Sequence, residues 1–401
     1  MAKHILVITQ YFYPEQFRIN DICFELVKRG YKVTVLTGIP NYPEGKFFKG
    51  YGWGKKRKEN INGVDVIRIP IVSRGKSAVR LVMNYYSFVV SGWLWNLFTK
   101  IKADCVFTFE VSPLLQAKIG VWYANKRKVP CYLYAQDLWP DNLEVVGGIR
   151  NKLVLNHYAK MASKIYNRYD KIFATSPSFV EEIRRRVEKN KEKVIYLPQY
   201  AEDFYRPLPK TATENIPQSE KFKVVFTGNI GQAQGLGILP KAAAILKERG
   251  VIDALFVIIG DGRYKDDLLK VIKEYGVEDA FSFIPRKPAE EIPKYLAACD
   301  AAFVSFMNNS LFEKTIPAKV QSYLACGIPI IASANGETKR IIEESGCGVC
   351  TDIGDGEALA DGIIKLAKSD NYAAYGLNAV KYSEERFNKE AIIKALCEYF
   401  E

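Results

Sequence analysis

Short apolar runs alternate with longer amphipathic segments along most of the 401-residue chain. The apolar runs predict strands at residues 5–8, 32–37, 64–69, 105–109, 131–134, 171–174, 194–197, 224–226, 254–259, 281–284, 301–305 and 329–332. The helical segments of the first half cover residues 18–29, 81–98, 114–126, 152–167 and 179–187, and further helices separate the later strands. Such alternation is typical of parallel sheets with helices on both faces. The predicted fold class is therefore α/β.

A stretch poor in apolar residues divides this alternation into two halves. Residues 203–221 contain three prolines and little that a core could bury, and the chain is too long for one ordinary core. We predict a Rossmann-like domain at 1–202, a linker at 203–221 and a second Rossmann-like domain at 222–384. A terminal helical run at 385–401 is placed to cross back to the first domain. Two such domains would face each other across a cleft.

The overall charge indicates an anionic partner. The formal net charge is +12 and the isoelectric point is near 9.1, which favours a nucleotide, a phospholipid surface or nucleic acid. No nucleic-acid-binding motif is present and the basic residues are scattered. We therefore expect no nucleic-acid partner.

Histidine and cysteine usage excludes several kinds of site. The only histidines are His4 and His157, so a histidine metal site or a Ser-His-Asp triad is nearly excluded. The eight cysteines are mostly isolated in apolar contexts, which suits a reducing compartment. Cys347 and Cys350 form a single CxxC without a second pair. No signal peptide precedes the first predicted strand, so we expect a cytoplasmic protein.

A glycine-rich loop opens the second domain. Residues 222–235, FKVVFTGNIGQAQG, give a strand, then Gly228, Gly231 and Gly235, then a helical pattern through Leu246. Strand, glycine-rich loop and helix present backbone N–H groups to phosphate in many parallel α/β proteins. The spacing is not the dinucleotide fingerprint, and glycines after a strand often only make a turn. Its position at the start of a domain favours the phosphate interpretation.

Residues 81–98 are the most apolar segment, and basic residues flank them. Arg74, Lys76 and Arg80 precede the segment, and Lys100 and Lys102 follow it. Basic flanks with internal Tyr and Trp suit a helix at the interface of an anionic membrane, whereas a helix packed on the sheet explains the apolar content equally well. A basic, aromatic stretch at 41–62 has no apolar periodicity and is predicted to be a mobile loop.

Several segments resemble one enzyme family. IIGDGRYKDDL, AAFVSF and KTIPAKVQSYLACGIPIIASANGET resemble the donor half of the GT-B glycosyltransferases of family 4. ITQYFYPEQFRIND, LTGIPNYPEGK, SPLLQ and YAQDLWPD resemble its bacterial WbuB-like branch, which builds O-antigen, capsule or exopolysaccharide. The resemblance implies that a sugar is transferred with retention from a UDP-sugar to a polyprenyl-diphosphate-linked saccharide. It further implies that this sugar is an N-acetylated hexosamine or a deoxyhexosamine. It also implies peripheral association with the inner face of the cell membrane.

The chain departs from the family pattern at charged positions. Asn229 and Gln234 stand where the family usually carries Arg and Lys, and Gln136 replaces the histidine that often precedes Asp137. The family's E-x₇-E pair is absent, because the nearest registers give Glu313/Gln321 or Lys314/Ser322. Positive charge for the donor diphosphate must then come from elsewhere. Lys319, which opens a predicted helix, is our candidate, since its ammonium would add to the helix dipole; a solvated surface lysine is the alternative.

The resemblance and the strand ends together give a set of candidate site residues. The donor-binding candidates are Gly228, Asn229, Gly231, Gln234, Gly260, Asp261, Arg263, Arg286, Lys287, Pro317, Lys319 and Gln321. The acceptor-binding candidates are Tyr11, Glu15, Arg18, Trp139 and Glu337. Asp137 is the first catalytic candidate and Glu110 the second. Core packing is the alternative for Tyr11 and Trp139, and helix or turn capping is the alternative for Asp137 and Glu337.

Three classes of function remain open from the sequence. The first is a sugar transferase, the second is a nucleotide-sugar epimerase on the same fold, and the third is a catalytically silent sugar-nucleotide-binding subunit. The basic loop and the apolar helix argue against the epimerase, whereas the missing charged residues motivate the silent subunit. Since no D-x-D occurs in the chain, we expect no metal and no cofactor beyond the UDP-sugar.

Overall fold

The computed structural model describes residues 2–75, 77–145 and 147–401. The strands are β1 (His4–Ile8), β2 (Lys32–Thr37), β3 (Lys58–Ile61), β4 (Val64–Arg68), β5 (Cys105–Glu110), β6 (Cys131–Ala135), β7 (Lys171–Ala174), β8 (Val194–Tyr196), β9 (Phe222–Asn229), β10 (Ala254–Asp261), β11 (Phe281–Ile284), β12 (Ala301–Ser305), β13 (Ile330–Ser333) and β14 (Gly348–Thr351). The helices are α1 (Arg18–Lys28), α2 (Ala78–Phe98), α3 (Ala117–Arg127), α4 (Asp141–Val145), α5 (Lys152–Tyr166), α6 (Pro177–Arg186), α7 (Ile238–Arg249), α8 (Lys265–Glu274), α9 (Ile292–Ala297), α10 (Ser310–Glu313), α11 (Ala318–Ala325), α12 (Gly336–Ser345), α13 (Gly356–Ala367), α14 (Tyr372–Arg386) and α15 (Lys389–Cys397). Short 3-10 helices cover Leu114–Gln116, Lys191–Lys193, Gln232–Gln234, Glu278–Ala280 and Ala289–Glu291.

The chain divides into two compact units. The first unit comprises Met1–Pro198 together with Glu390–Glu401, and the second comprises Gln199–Lys389. Residues 203–221, which the sequence suggests as a linker, lie in the second unit, and Ile216 is buried in its core.

The first unit is built on an eight-stranded sheet with the order β3-β4-β2-β1-β5-β6-β7-β8. Its strands run parallel except β3, which pairs antiparallel with β4. Residues 5–8 of β1 and all of β5 are buried. A continuous apolar strand is what burial of both sheet faces requires.

The second unit is built on a six-stranded, all-parallel sheet with the order β11-β10-β9-β12-β13-β14. Two apolar clusters cover its faces, one around Val225 and Val304 and the other around Phe226 and Phe303. Successive residues of one strand thus serve opposite faces. The α/β prediction is confirmed in both units.

The basic segment 41–62 differs from its prediction as a mobile, unstructured loop. It contains β3, and it is held by hydrogen bonds to the chain that follows β4. Trp53 Nε1 donates to the Ile71 carbonyl at 2.9 Å, and Gly75 N donates to the Gly45 carbonyl at 2.8 Å. The prediction was wrong because these partners lie outside the segment, where local periodicity carries no information.

The terminal run 385–401, predicted as one helix, contains the end of α14 and all of α15. Phe387 lies between the two helices, and its side chain is buried in the core of the second unit. The chain from Glu390 onward belongs to the first unit, where the buried Phe400 ring contacts Phe107 and Tyr132 at centroid distances of 5.5 and 5.7 Å. Strand β14 had no counterpart in the sequence prediction.

Helix α2 has an unusual distribution of polar and apolar residues. Its buried face carries Asn84 and Asn96, whereas large apolar side chains of the opposite face reach solvent. The exposed side chains are Val79, Val82, Met83, Tyr86, Val90, Trp93, Leu94, Leu97 and Phe98. Gly92 lies so close to α3 that a Cβ there would be 2.3 Å from the Ile119 side chain. The helix therefore packs on the unit with one face and leaves an apolar face uncovered.

Candidate functional site

The strand order identifies one edge of each sheet as the place for a ligand. In the second unit the chain adds strands on one side of β9 and then returns to the other side with β12. In the first unit the same reversal lies between β1 and β5. Ligands of open α/β sheets bind beyond the carboxyl ends of the strands at such a reversal. The glycine-rich loop follows β9, and Glu110 ends β5.

Two glycines shape the end of β9 and its partner β10. The parallel register continues to Gly228 opposite Gly260 and to Asn229 opposite Asp261. Both glycines have positive φ, 134° and 149°, and a Cβ on Gly260 would lie 1.8 Å from the Gly228 carbonyl oxygen. No other residue fits this approach. Gly228 and Asn229 are exposed residues, and because Gly228 has no side chain its backbone can approach a ligand closely.

The rest of the glycine-rich loop is held by its neighbours. Gly231 N donates to Gln234 Oε1 at 3.2 Å, and Met307 N, beyond β12, donates to the Ala233 carbonyl at 3.0 Å. Gly235 has φ of 59°, and a Cβ there would lie 2.8 Å from the Phe306 carbonyl oxygen. The loop is thus fixed between strand ends.

Lys319 brings a positive charge to this loop. Its ammonium lies 3.8 Å from the centre of the Phe226 ring, and a Cβ on Gly228 would be only 3.7 Å away from it. Lys319 forms no ion pair with any carboxylate of the described residues. Burial lowers the pKa of Lys319 to about 7. An anion at Gly228 would neutralise this ammonium, which no carboxylate of the described residues does.

A buried tyrosine that the sequence analysis missed positions Lys319. The Tyr323 hydroxyl accepts a hydrogen bond from Thr227 N at 3.0 Å and lies 3.0 Å from the Thr227 hydroxyl. Tyr323 is one turn after Lys319 on α11, so the contact fixes the helix against the strand that carries Gly228. Nothing in the sequence marked Tyr323 beyond an apolar helical position.

Other donor-binding candidates lie around the loop in different environments. Asp261 and Arg263 are exposed at the end of β10, and Tyr264 N donates to the Ile230 carbonyl at 3.1 Å, which joins this turn to the glycine-rich loop. Pro317 precedes the first residue of α11.

Arg286 and Lys287 follow β11, which β10 separates from β9. The Lys287 ammonium lies 5.6 Å from the centre of the Tyr295 ring, so it faces α9 in this structure. The described contacts do not join either residue to the glycine-rich loop.

Gln321 and Glu337 are both buried. Neither amide atom of Gln321 has a hydrogen-bond partner among the described residues, which leaves a polar group that a ligand could satisfy. Glu337 lies in the first turn of α12 and pairs with Arg340 at 2.6 Å. It belongs to the second unit, whereas the other acceptor candidates belong to the first.

The two catalytic candidates are neighbours at the carboxyl edge of the first sheet. Gln136 N donates to the Glu110 carbonyl at 2.9 Å, and Asp137 Oδ2 accepts from Ser112 N at 2.7 Å. Burial raises the pKa of Glu110 well above its usual range, and the charge of Asp137 raises it further. Glu110 is completely buried, and Asp137 is partly exposed. Asp137 is therefore the carboxylate of this pair that a ligand can reach.

Glu15 organises the loop beyond β1 from a buried position. Its Oε1 accepts from Asn41 N at 2.8 Å and from Tyr42 N at 2.7 Å. Burial raises the pKa of Glu15 to about 7, although these backbone donors oppose the shift. The side chain is 2% exposed. In this structure Glu15 positions the loop at 41–42 and offers no surface to an acceptor.

Tyr11 and Trp139 are packing residues in this structure. The Tyr11 ring is stacked on Phe17 at 5.1 Å, and its hydroxyl accepts from Arg74 Nη1 at 2.9 Å. Trp139 is buried against Tyr158 at 5.8 Å. Their faces are therefore covered, as the packing interpretation expects. Arg18, the first residue of α1, is partly exposed.

A cavity of about 480 Å³ lies at the same edge and was not foreseen. It is lined by Tyr13, Pro14, Glu44, Phe48, Lys49, Tyr51 and Lys56. Tyr13 is 45% exposed, and Lys56 Nζ lies 4.8 Å from the centre of the Tyr51 ring. Phe48 and Tyr51 are half-buried, and the Arg68 guanidinium also lies 4.9 Å from the centre of the Tyr51 ring. An exposed ring such as Tyr13 with polar neighbours is suited to the apolar face and hydroxyl groups of a sugar. The only sequence signal was the aromatic and basic composition of 41–62.

The described residues contain no group of three or more His, Cys, Asp or Glu side chains placed to hold a metal ion. All eight cysteines are free thiols.

Two families match the chain, one in each unit. The family described as "Glycosyl transferase 4-like domain" matches residues 16–198, and the family described as "Glycosyl transferases group 1" matches residues 210–382. Together these matches cover most of the chain. Two parallel α/β units, each matched by a glycosyltransferase family, define the class of protein. The chain belongs to the GT-B glycosyltransferases, and it is an enzyme of that type.

Three similar proteins illustrate the likeness. The putative colanic acid biosynthesis glycosyl transferase WcaI of Escherichia coli K12 is 26% identical over 97% of this chain and 98% of its own. The N-acetylgalactosamine-N,N'-diacetylbacillosaminyl-diphospho-undecaprenol 4-alpha-N-acetylgalactosaminyltransferase of Campylobacter jejuni is 23% identical over 60% of this chain and 62% of its own. The structure of Anabaena HepE in complex with UDP-glucose has a TM-score of 0.70 at 14% identity, covering 99% of this chain and 98% of that one.

The raised pKa of Glu15 predicts a pH-dependent stability. Between pH 4.5 and 7 the unfolded state loses the proton of Glu15 while the folded state keeps it, so this group makes the free energy of unfolding fall as the pH rises. Glu15→Gln removes the effect. We subtract the free energy of unfolding of the unmodified protein from that of the variant. This difference should rise by about 3 kcal/mol between pH 4.5 and 8.

Urea unfolding at several pH values measures this difference, with the exposed Glu44→Gln as the matched control. If the free energies of unfolding of the Glu15→Gln variant and the unmodified protein change equally with pH, the pKa of Glu15 is not raised in the folded protein.

Proposed function

We propose that this glycosyltransferase moves a sugar from a UDP-sugar to a lipid-linked saccharide in the synthesis of a bacterial surface polysaccharide, with retention at the anomeric carbon. The observation that carries the donor assignment is the unpaired ammonium of Lys319 beside Gly228. The similar proteins add support: one was crystallised with UDP-glucose, one is named for colanic acid biosynthesis, and one is named for a diphospho-undecaprenol saccharide. The donor sugar would be an N-acetylated hexosamine or a deoxyhexosamine.

The second unit would stabilise the leaving diphosphate. The backbone of the exposed Gly228 can approach its oxygens, and Lys319 supplies a positive charge from the first turn of α11. Fixed donors and charges aimed at developing negative charge lower the barrier to bond cleavage. These groups replace the family's Arg and Lys, which Asn229 and Gln234 cannot mimic electrostatically.

The first unit would hold the acceptor. The cavity around Tyr13 and Tyr51 offers aromatic surface for a saccharide, and the Asp137 carboxylate can accept a hydrogen bond from the hydroxyl group of the acceptor. Holding that hydroxyl against the anomeric carbon is the main requirement of the transfer. Burial and the charge of Asp137 raise the pKa of Glu110, which disfavours a second negative charge there.

Lys319→Ala is expected to weaken UDP binding by about ten- to 150-fold, the range for a charge-assisted hydrogen bond of about 1.5–3 kcal/mol. Because the pKa of Lys319 is about 7 in the free protein, the affinity of the unmodified protein should also fall as the pH rises from 7 to 9. The alanine variant should lose this dependence.

Titration calorimetry with UDP at pH 7, 8 and 9 measures both effects, and Lys273→Ala, an exposed lysine on α8, is the control. Unchanged affinity in a folded Lys319→Ala variant would remove Lys319 from the donor site.

A transfer assay tests the reaction itself. The protein is incubated with a panel of UDP-sugars and a polyprenyl-diphosphate-linked saccharide, with and without EDTA. We expect glycosylated lipid in both conditions, since the proposed transfer uses no metal. Asp137→Asn should lower kcat by about a hundredfold or more if Asp137 takes the hydroxyl proton, whereas Glu181→Gln on the surface of α6 should not.

Each alternative has its own product in this assay. An isomerised donor would identify an epimerase, and donor binding without turnover would identify a silent subunit. Activity lost in EDTA and restored by Mg²⁺ or Mn²⁺ would contradict metal-free transfer.

The outward face of α2 supports a peripheral contact with an anionic membrane. None of the described helices is long and apolar enough to cross a membrane, yet α2 exposes a continuous apolar face with Arg80 and Lys100 at its ends. Arg74, expected in the basic flank, is bound to Tyr11 instead, and Lys76 lies outside the described residues. A protein acting on lipid-linked acceptors in the cytoplasmic leaflet would benefit from this surface, because anionic lipids attract exposed basic residues.

We expect the protein to sediment with phosphatidylglycerol vesicles at low salt and to be released at high salt. Trp93→Ser/Phe98→Ser should abolish sedimentation, because both rings are exposed, whereas Trp95 stacks on Tyr123 and is a poorer test. Leu377→Ser/Tyr275→Ser, two exposed positions of the second unit, is the matched control. Protein that stays in the supernatant at low salt would show that the face binds no membrane.

A further inference from the structure

A second cavity lies at the opposite edge of the first sheet. Its volume is about 590 Å³, and it is lined by His4, Lys32, Thr34, Lys58, Glu59, Asp65, Val66, Ile67, Lys100, Ile101 and Lys102. His4 and Lys32 are the first residues of β1 and β2, and they pair in the parallel register. The cavity therefore lies near the amino ends of these strands. It is separate from the carboxyl edge that carries Asp137.

The charge of this cavity is positive and unbalanced. Four lysines line it, and none of their ammonium groups forms an ion pair within the described parts of the chain. Of the two lining carboxylates, Glu59 is already paired with Arg68 at 2.6 Å. Asp65 accepts a hydrogen bond from Asn60 Nδ2 at 2.9 Å. Asp104, beside the cavity, accepts one from His4 N at 2.7 Å. These two carboxylates leave two negative charges against four positive charges. Such a cavity attracts an anion.

His4 fixes the wall of the cavity without adding charge. Its Nδ1 lies 3.0 Å from the Lys102 carbonyl, so Nδ1 donates, and its Nε2 lies 2.8 Å from the Thr34 hydroxyl. In the neutral ring Nε2 accepts from Thr34. Burial lowers the pKa of His4, and the charge of Lys32 lowers it further. The histidine thus links β1, β2 and the segment before β5 around the four lysines.

We propose that this cavity is a binding site for a phosphate-bearing anion, held by Lys32, Lys58, Lys100 and Lys102. Clustered ammonium groups bind phosphate as point charges. Lys100 follows Phe98 at the end of the exposed apolar face of α2. The anion is thus either the phosphate of a lipid headgroup or a free phosphate compound. Only the lipid source rests on the proposed membrane contact; the site itself does not.

The two histidines make the site directly observable. In protein labelled at histidine Cε1, inorganic pyrophosphate should shift the NMR signal of His4 and leave that of His157, an exposed residue of α5. Lys32→Gln/Lys58→Gln should weaken this binding by about thirtyfold, since each exposed lysine contributes about fivefold. Lys189→Gln/Lys191→Gln removes the same charge elsewhere in the unit and should not weaken it.

Vesicle sedimentation with the same two double variants separates the sources. If the anion is a lipid headgroup, Lys32→Gln/Lys58→Gln should bind phosphatidylglycerol vesicles more weakly than the control variant, and neither should bind phosphatidylcholine vesicles. If the anion is a free phosphate compound, the two variants should bind vesicles equally. Pyrophosphate binding should then be weakened in Lys32→Gln/Lys58→Gln and unchanged in the control variant. The proposal is overturned if His4 does not respond to pyrophosphate and the two variants also bind vesicles equally. Transfer activity should persist in both variants, so this failure is distinct from failure of the proposed function.

Discussion

Burial of both faces of a parallel sheet is the constraint on which each unit depends. Strands such as β5 and β10 are apolar nearly throughout, so polar chemistry has no place except at the strand ends. The reversal of strand order then selects one gap at the carboxyl edge of each sheet. The glycine-rich loop occupies that gap in the second unit, and Glu110 with Asp137 occupies it in the first.

Two ionisable groups at these gaps have pKa values that burial shifts. Lys319 lies on an aromatic ring without a carboxylate partner, and Glu110 has no hydrogen bond of good geometry to its carboxyl oxygens among the described residues. Burying such groups costs free energy unless a partner compensates. A bound anion would compensate Lys319, whereas protonation relieves Glu110. Desolvation thus disfavours the charged form of both groups, and a bound anion beside Lys319 would restore its charge.

Much of the fold and part of the candidate site could be predicted from the sequence. The apolar runs locate most strands, because a strand buried on both faces must be apolar at successive positions. Gly228 could be identified because it follows such a run, and Lys319 because it begins a helix. The apolar content of α2 was evident too, but the sequence did not show which face of the helix packs on the unit. Asn84 faces inward because it hydrogen-bonds Gln10 and the Val72 carbonyl, two distant partners.

The sequence by itself determined the alternation of strands and helices, the glycine-rich turn and the excess of positive charge, since each depends on residues close together in the chain. Tertiary structure alone decided which side chains meet. It buried Tyr11 and Trp139, placed Tyr323 against Thr227, and gathered lysines from three separate segments around His4. These contacts follow from the order in which strands pair, and strand order is a property of the whole sheet that no local pattern encodes.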